Sequence, residues 1–206
     1  MVIKVFLAQT NKQRSEAHQL VKKVYWEKFR VNIDHLHDWH PEKFQSDTLV
    51  AYSDESDEIL GTMSLIYPNC KGQFPCESLF GFDLSEFNFG TDKYVEVGRF
   101  ATSEKGRENR FVVISLFLGA IQHLQDKEIY GWTATVKDDV YDFLNKLSLP
   151  LNNINQSPKL LQNDPLNNYV GQPLALHLFD VTLADTEKSF KQFEGCLDRG
   201  RIKLCL

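Results

Sequence analysis

A β-strand that leads directly into a cationic helix start is the feature that most constrains the fold of this chain. Residues 94–102 read YVEVGRFAT, a β-rich run that sets Glu96 and Arg99 among apolar neighbours. The polar segment 103–110 follows, and then an apolar stripe with helical spacing extends over residues 107–125. The first N–H groups of a helix attract anions, so this order is typical of a site for a phosphate-bearing donor. We therefore expect group-transfer chemistry beside an ionisable Glu96–Arg99 pair.

The size and charge of the chain exclude several classes of protein. Its 206 residues suffice for a substantial core, and we predict one domain over residues 1–206. The formal net charge of −5 argues against nucleic-acid binding, so an anionic partner must be captured locally. No run has the length and apolarity of a signal sequence or a membrane span, which predicts a cytoplasmic protein. The four cysteines, Cys70, Cys76, Cys196 and Cys205, lack paired metal-site spacing and are interpreted as reduced thiols.

The predicted elements alternate between strands and helices along the whole chain. Strands are predicted at residues 2–8, 48–52, 59–67, 94–102, 128–136 and 169–183, and helices at 11–29, 84–87, 107–125, 138–147 and 185–197. An acidic turn joins the second and third strands as a hairpin. This order predicts an α/β protein with a mixed sheet flanked by helices.

Five motifs, scattered over residues 20–147, carry a resemblance to a known family. They are LVKKVYWE at 20–27, TLVAY at 48–52, GTMSL at 61–65, EVGRFA at 96–101 and VYDFLNKL at 140–147. Together they resemble the GNAT acyltransferase superfamily, within it the branch of acyl-homoserine lactone synthases and N-acyl amino acid synthases. The resemblance implies a mostly antiparallel mixed sheet in which a central pair of strands splays apart.

In that family the splayed strands form a V-shaped opening for the pantetheine arm of the donor. The strand that carries Glu96-x-x-Arg99 lies at this opening, and its main chain pairs with the amide groups of the arm. The resemblance therefore implies that Phe100, Ala101 and Thr102 contact the donor.

The segment expected to hold the donor phosphate departs from the usual family pattern, Arg/Gln-x-x-Gly-x-Gly/Ala. Here the register is Arg107-x-x-Arg110-x-Val112, so both small positions are replaced. Small residues let backbone N–H groups approach a pyrophosphate, and their loss weakens the case for coenzyme A. An acyl carrier protein presents its pantetheine on a single phosphate. We therefore expect this donor, with Arg107, Arg110, Phe111 and Val112 near its phosphate, and no tightly bound cofactor.

Acyl carrier proteins are acidic as a class, so their docking requires exposed cations near the cleft. Lys105, Arg107 and Arg110 would supply them, together with Lys22 and Lys23. The alternative is that these charges are an ordinary solvated helix start.

Glu96 is the leading candidate for the base that takes a proton from the acceptor amine, directly or through a water that it orders. Arg99 then either keeps Glu96 ionised or binds an acceptor carboxylate. The alternative is a buried structural ion pair without a chemical role. Direct attack on the thioester needs no covalent nucleophile, and backbone N–H groups of the splayed strand would polarise its carbonyl.

The acceptor side is implied by the family resemblance alone. There the segment after the first helix lies near the acyl and acceptor channel, which implies that Trp39, Phe44 and Asp47 shape the acceptor pocket. The His- and Asp-rich run at 34–42 is also open to a metal interpretation, but its spacing matches no known scaffold and we predict a polar loop without metal.

Two positions differ from the family in ways that leave roles open. Ser64 stands where this branch commonly has Arg, and Leu144 stands near a Tyr that protonates the leaving thiolate in many acetyltransferases. The nearest phenol, Tyr141, lies about one helical turn earlier.

The function favoured by the sequence is N-acyl transfer from acyl carrier protein to the amine of a small acceptor, such as an amino acid or a derivative. An acetyl-CoA-dependent amine acetyltransferase is the second hypothesis. A binding protein that keeps the GNAT shape without catalysis is the third.

Overall fold

One open sheet contains every strand of the described residues. The structure is a computed structural model, and it describes residues 1–36, 43–85, 93–160, 164, 166–171 and 176–206. The strands are β1 Ile3–Leu7, β2 Ser46–Ser53, β3 Ile59–Ile66, β4 Tyr94–Thr102, β5 Gly131–Lys137, β6 Asn152–Asn153, β7 Leu176–Thr182 and β8 Ile202–Cys205. Their order in the sheet is β6-β7-β5-β4-β3-β2-β1-β8. Among the described strands, only the β4–β5 and β1–β8 pairings are parallel, which confirms the mixed, mostly antiparallel sheet predicted from the sequence.

Helices cover both faces of the sheet. They are α1 Asn11–Phe29, α2 Pro75–Phe80, α3 Glu104–Glu108, α4 Arg110–Asp126, α5 Asp138–Lys146, α6 Asn167–Gly171, α7 Leu183–Phe190 and α8 Glu194–Asp198. Helix α4 packs on β1, β2 and β3 within the larger apolar cluster, whereas α1 packs on the other face with residues of α2 and α6. None of the described helices combines the length and apolarity that a bilayer crossing requires.

Helix α1 begins and ends where its sequence signals predict. Thr10 forms a capping box with Gln13, in which each side chain accepts a hydrogen bond from the backbone N–H of the other. Arg30 closes the helix in the left-handed conformation, with φ of 57°. The buried face includes Val21, Val24 and Tyr25, so this helix covers the strands that carry the candidate site.

The predicted helix at 84–87 is wrong for the part that the structure describes. Leu84 and Ser85 are not helical, and residues 86 and 87 lie outside the described residues. The helix forms earlier, at α2, where Pro75 occupies the first turn and the Glu77 carboxylate accepts the Phe74 N–H at 2.8 Å. Gly81 ends it at a φ of 65°.

Three other predicted segments are divided or shortened. The helix predicted at 107–125 is interrupted at Asn109, which caps α4, and α3 precedes it. The start of the strand predicted at 169–183 is helical in α6, and β7 covers only the later part. Residues 185–197 form α7, a 3₁₀ turn and α8 rather than one helix, and β8 was not predicted.

Gly106 in α3 marks the closest approach of this helix to the sheet. A Cβ atom at this position would lie 2.0 Å from the carbonyl oxygen of Leu60 in β3. We expect Gly106→Ala to lower the free energy of unfolding by about 1–3 kcal/mol, because backbone must shift to admit the methyl group. Urea denaturation measures this change. The control is Gly195→Ala in α8, where only the flexible Arg199 side chain is near; an equal loss there would contradict the steric explanation.

Candidate active site

The parallel strands β4 and β5 separate in the middle of the sheet. They are paired only between Tyr94–Glu96 and Gly131–Thr133, whereas β5 pairs with β7 along its whole length. Beyond Glu96 the two strands diverge and leave a V-shaped cleft between them. The splayed central pair expected from the sequence is therefore confirmed.

A β-bulge at Arg99 shapes the β4 side of the cleft. Gly98 pairs with Ser64 and Ala101 pairs with Thr62, so Arg99 and its successor face one residue of β3. Arg99 has a φ of 50°, in the left-handed region that residues other than glycine seldom adopt. Bulges of this kind bend a strand and redirect a side chain, and here the redirected side chain is the arginine of the sequence motif.

The cleft between β4 and β5 holds a cavity of about 370 Å³, hereafter the strand cleft. Its described walls come from β4 and β5, with α1, α5 and single residues or pairs from β3, α3, α4 and α6. Of the residues predicted to contact the donor, Phe100, Ala101, Thr102 and Arg107 line it. The structure therefore brings together four of the seven positions predicted to bind the donor.

The other three predicted donor positions lie outside the described lining of the strand cleft. Arg110 is exposed, with its guanidinium carbon 5.4 Å from the centre of the Phe111 ring. Val112 is buried. Asn109 accepts the Phe111 N–H through its side chain at 3.0 Å and the Val112 N–H through its carbonyl at 2.9 Å. These two N–H groups at the start of α4 are thus already hydrogen-bonded within the chain.

Glu96 lies in β4 with only 4% of its surface exposed. Its carboxylate accepts the backbone N–H of Cys76 at 2.8 Å and a further hydrogen bond from the Cys76 side chain. Burial raises the pKa of the Glu96 carboxyl to about 7, against the lowering effects of Cys76 and of the Arg99 charge. The group therefore changes its protonation near neutral pH, although it is not part of the described lining of either cavity.

Arg99 interacts with Glu96 through charge rather than through the ion pair that the sequence suggests. Its guanidinium donates a hydrogen bond of 3.4 Å to the hydroxyl of Ser46, while the hydrogen bonds of Glu96 come from Cys76. Arg99 lines the strand cleft and also a second cavity on the α1 side. Among the described residues, Arg99 alone belongs to the lining of both cavities.

The second cavity, of about 630 Å³, is hereafter the polar pocket. It lies beside the start of β2 and is rich in cationic and hydroxyl side chains. The polar members of its described lining are Gln9, Arg14, His18, Ser46, Asp47, Thr48, Thr62, Ser64, Arg99, His123 and Lys127. Ser64, which replaces the usual Arg, shares a hydrogen bond of 3.1 Å with Thr48 here.

Asp47 is the carboxylate of the polar pocket, and three side chains bind it. His123 Nε2 lies 2.8 Å and Lys127 Nζ 3.3 Å from Asp47 Oδ2, and the Tyr67 hydroxyl donates to the same oxygen at 2.8 Å. The hydrogen bond with His123 is the main reason that the pKa of Asp47 is lowered. Asp47, a predicted acceptor residue, thus lies on a cavity wall as an ionised carboxylate whose charge is balanced by the side chains around it.

Of the remaining predicted acceptor residues, Phe44 and Trp39, the structure describes only Phe44. Phe44 is 2% exposed and is not part of the described lining of either cavity, and Trp39 lies outside the described residues. Within the run 34–42, Asp34 bonds to His18 and Lys22, and residues 37–42 are outside the described part. No group of metal-binding side chains occurs among the described residues.

Three of the five cations predicted to dock a carrier protein are already paired. Lys22 binds Asp34, Lys23 lies 3.9 Å from Glu27, and Lys105 lies 2.6 Å from Glu58. Arg107 and Arg110 are exposed and form no ion pair with any described residue.

Two buried tyrosines form part of the strand cleft that sequence reasoning missed. The rings of Tyr25 and Tyr169 stack with centroids 5.9 Å apart, and their hydroxyls share a hydrogen bond. The amino group of Lys137 lies 4.8 Å from the Tyr169 ring centre and donates to the carbonyl of Val170 at 3.3 Å. The only sign of this pair in the sequence was Tyr25, a polar aromatic residue on the otherwise apolar face of α1.

The phenol considered for a catalytic acid is engaged elsewhere. The Tyr141 hydroxyl accepts a hydrogen bond of 2.6 Å from Asn153, and its ring stacks on His177 at 4.1 Å. Tyr141 is not part of the described cleft lining, whereas the buried Leu144 is.

Comparisons with known proteins agree with this geometry. Residues 16–150 match the family model described as N-acyl amino acid synthase FeeM. The sequence matches no curated protein. The structure of FeeM, an N-acyl amino acid synthase from uncultured soil microbes, is 17% identical with a TM-score of 0.66, covering 93% of this chain and 97% of that chain. For the acyl-homoserine lactone synthase LasI the identity is 12% and the TM-score 0.58, covering 92% of this chain and 95% of that chain. For an N-acetyltransferase-like protein from Lactobacillus plantarum the identity is 12% and the TM-score 0.57, covering 89% of this chain and 99% of that chain. At these identities the structural likenesses establish the fold alone.

Proposed function

The chain belongs to the family of the N-acyl amino acid synthase FeeM and is an acyltransferase, and from this we propose that it moves an acyl group from acyl carrier protein to the amine of an amino acid or a related small acceptor. The observation that carries the proposal is the meeting of two different cavities at Arg99. One cavity follows a splayed strand, as a pantetheine arm requires, and the other is polar and cationic.

The reaction is a direct transfer between bound donor and acceptor. The amine nitrogen attacks the thioester carbonyl, a C–N bond forms, the C–S bond breaks, and the nitrogen loses one proton. Glu96 receives that proton, because a base with a pKa near 7 is poised for work at neutral pH. Since its carboxylate is not on the described cavity walls, the proton reaches it through an intervening water. Cys76 is no nucleophile here, because burial and Glu96 raise the pKa of its thiol.

The donor arm occupies the strand cleft along the main chain of Phe100, Ala101 and Thr102. Arg107 lines the cleft and is exposed, which supports a role for it at the donor phosphate. Since Asn109 already uses the N–H groups of Phe111 and Val112, the start of α4 offers little to a diphosphate. This supports a donor with one phosphate, the carrier protein, over coenzyme A.

The acceptor occupies the polar pocket with its carboxylate toward the cations. Three cations, Arg14, Arg99 and Lys127, belong to the described lining of this pocket, against the single carboxylate of Asp47. An anionic acceptor is therefore favoured electrostatically. Phe44 and Trp39 remain predicted contributors to this side.

Thiol release measured with purified protein and an amino-acid mixture tests the function. We expect turnover with medium- or long-chain acyl carrier protein thioesters. Turnover with acetyl-CoA alone would replace this proposal by the acetyltransferase hypothesis, and no turnover with any thioester would favour a binding protein. Mass spectrometry of the product identifies the acceptor.

Charge reversal tests the carrier protein directly. We expect the double variant Arg107→Glu with Arg110→Glu to raise KM for the acyl carrier protein donor about tenfold or more at low salt, since it removes steering of an acidic partner. The effect should shrink as salt rises. With an N-acetylcysteamine thioester, which has no carrier, the KM should stay unchanged. Lys71→Glu is the control, because Lys71 is exposed in the turn after β3, at the opposite end of that strand from the loop that follows β4; a similar effect there would contradict local docking.

A further inference from the structure

Thr135 belongs to the wall of the strand cleft and carries a buried hydroxyl with an unused hydrogen-bonding capacity. Its Oγ1 atom is shielded from solvent and has no hydrogen-bond partner among the described residues; no other buried side-chain nitrogen or oxygen there shares this condition. Proteins rarely leave a buried polar group unpaired, because its desolvation is then uncompensated. Such a group in a cavity wall points to a bond made with a ligand.

The position of Thr135 is fixed by the sheet. It follows Thr133, the register partner of Glu96, by two residues and so lies just beyond the point where β5 leaves β4. Its backbone is held by pairing with Leu178 of β7. The hydroxyl is therefore borne by a rigid strand at the narrow end of the cleft.

The other hydroxyl groups near this end already have partners. Thr133 donates to the carbonyl of Phe179 at 2.8 Å, and Tyr25 and Tyr169 bond to each other. Tyr141 is bonded by Asn153, and Leu144 on α5 offers only an apolar side chain.

We propose that the Thr135 hydroxyl donates a hydrogen bond to the sulfur of the donor thioester as the C–S bond breaks. This inference rests on the proposed acyl transfer. The electron pair of the C–S bond passes to sulfur, and the Thr135 O–H stabilises the resulting thiolate while keeping its own proton. The proton that the amine loses to Glu96 is the one that finally converts the thiolate into a thiol, so atoms and charge balance. Sulfur is the chosen partner because, in the proposed reaction, main-chain N–H groups of β4 on the opposite wall polarise the carbonyl oxygen.

Replacement by valine and by serine tests the hydrogen bond. Thr135→Val keeps the shape and removes the hydroxyl, and we expect it to lower kcat about tenfold with little change in KM. Thr135→Ser keeps the hydroxyl and should stay within about threefold of the wild type. The melting temperature of unliganded Thr135→Val should equal or exceed that of the wild type, because an unpaired buried hydroxyl does not stabilise the fold.

Varying the acidity of the leaving thiol tests whether the Thr135 hydroxyl acts on sulfur rather than on another atom of the donor. We expect the tenfold loss in Thr135→Val with an acyl N-acetylcysteamine donor and a much smaller loss with the acyl thioester of thiophenol, a more acidic thiol that leaves unaided. An equal loss with both donors, an effect on KM alone, or a Thr135→Ser variant as slow as Thr135→Val would overturn the proposal. If the wild type is active and Thr135→Val is equally fast, only this inference is overturned. If the wild type is inactive with every thioester, the proposed function is overturned and this inference with it.

Discussion

Replacing Glu96 with glutamine is expected to lower kcat by about 10²–10³-fold, the usual contribution of a positioned general base. The change is nearly isosteric, and the amide oxygen still accepts the Cys76 N–H. Because the pKa of Glu96 is raised to about 7 by burial, kcat/KM of the wild type should fall as pH drops below about 7, when the base is protonated. Steady-state rates from pH 5.5 to 8.5 measure both effects, the range being about 1.5 units on either side of that pKa.

A half-buried carboxyl with a raised pKa provides the control for this experiment. Burial also raises the pKa of Asp180, but Asp180 lies in β7, beyond β5 and two strands away from β4. Asp180→Asn should leave kcat and its pH profile unchanged. If Glu96→Gln keeps wild-type turnover, Glu96 has a structural role and the base must be sought elsewhere.

Glu96→Gln, which is expected to lower activity, should by contrast raise the free energy of unfolding. The folded pKa of Glu96 lies above the ordinary value of 4.5, so the folded protein holds a proton that the unfolded chain has released between pH 4.5 and about 7. Stability therefore falls as pH rises through this window, and the cost of a buried charge is complete above it. Glutamine carries no such charge. Urea denaturation at pH 8 should show Glu96→Gln to be more stable by up to roughly 3 kcal/mol, with the difference closing toward pH 4.5.

The parts of the fold that sequence predicts well are those specified by local signals. The bounds of α1 and β4 match the prediction, because α1 has a capping box and a regular apolar face and β4 is a β-rich run. Strand β8 was missed because its pairing partner, β1, is nearly the whole chain away. Helix α2 was misplaced although Pro75 and Gly81 marked its ends.

In the candidate site, too, the features set by local sequence were predicted and those set by contacts between distant segments were not. The motif in β4 located Glu96, Arg99 and the strand cleft, since these lie on one strand. The sequence could not show that Cys76 would bind the Glu96 carboxylate, because that contact joins α2 to β4 across a loop. It equally could not show that Thr135 would be left without a partner, which depends on where β4 and β5 separate.

Replacing Arg99 with glutamine is expected to raise KM for the acceptor about 30- to 100-fold, because paired charge-assisted hydrogen bonds to a carboxylate contribute about 2–3 kcal/mol. Glutamine has the same difficulty as arginine with a φ of 50°, so the backbone conformation of the bulge is no more strained than before. The KM for the donor should change little. Initial rates with the acceptor varied at saturating donor measure the effect.

The acceptor itself supplies the decisive comparison for Arg99. An acceptor whose carboxylate is converted to a neutral amide should be used equally well by the wild type and by Arg99→Gln, since the lost interaction is then absent from both. Arg14→Gln is the matched control, because it also removes a cation from the pocket wall; the Arg14 guanidinium already donates to the carbonyls of Ala8 and Gln9 at 3.0 and 2.9 Å, so a much smaller rise in KM is expected. A loss in Arg99→Gln that persists with the amide would place the role of Arg99 on Glu96 or on the donor. Arg99 would then be a positioning residue, and the carboxylate of the acceptor would have to bind elsewhere among the cations of the polar pocket.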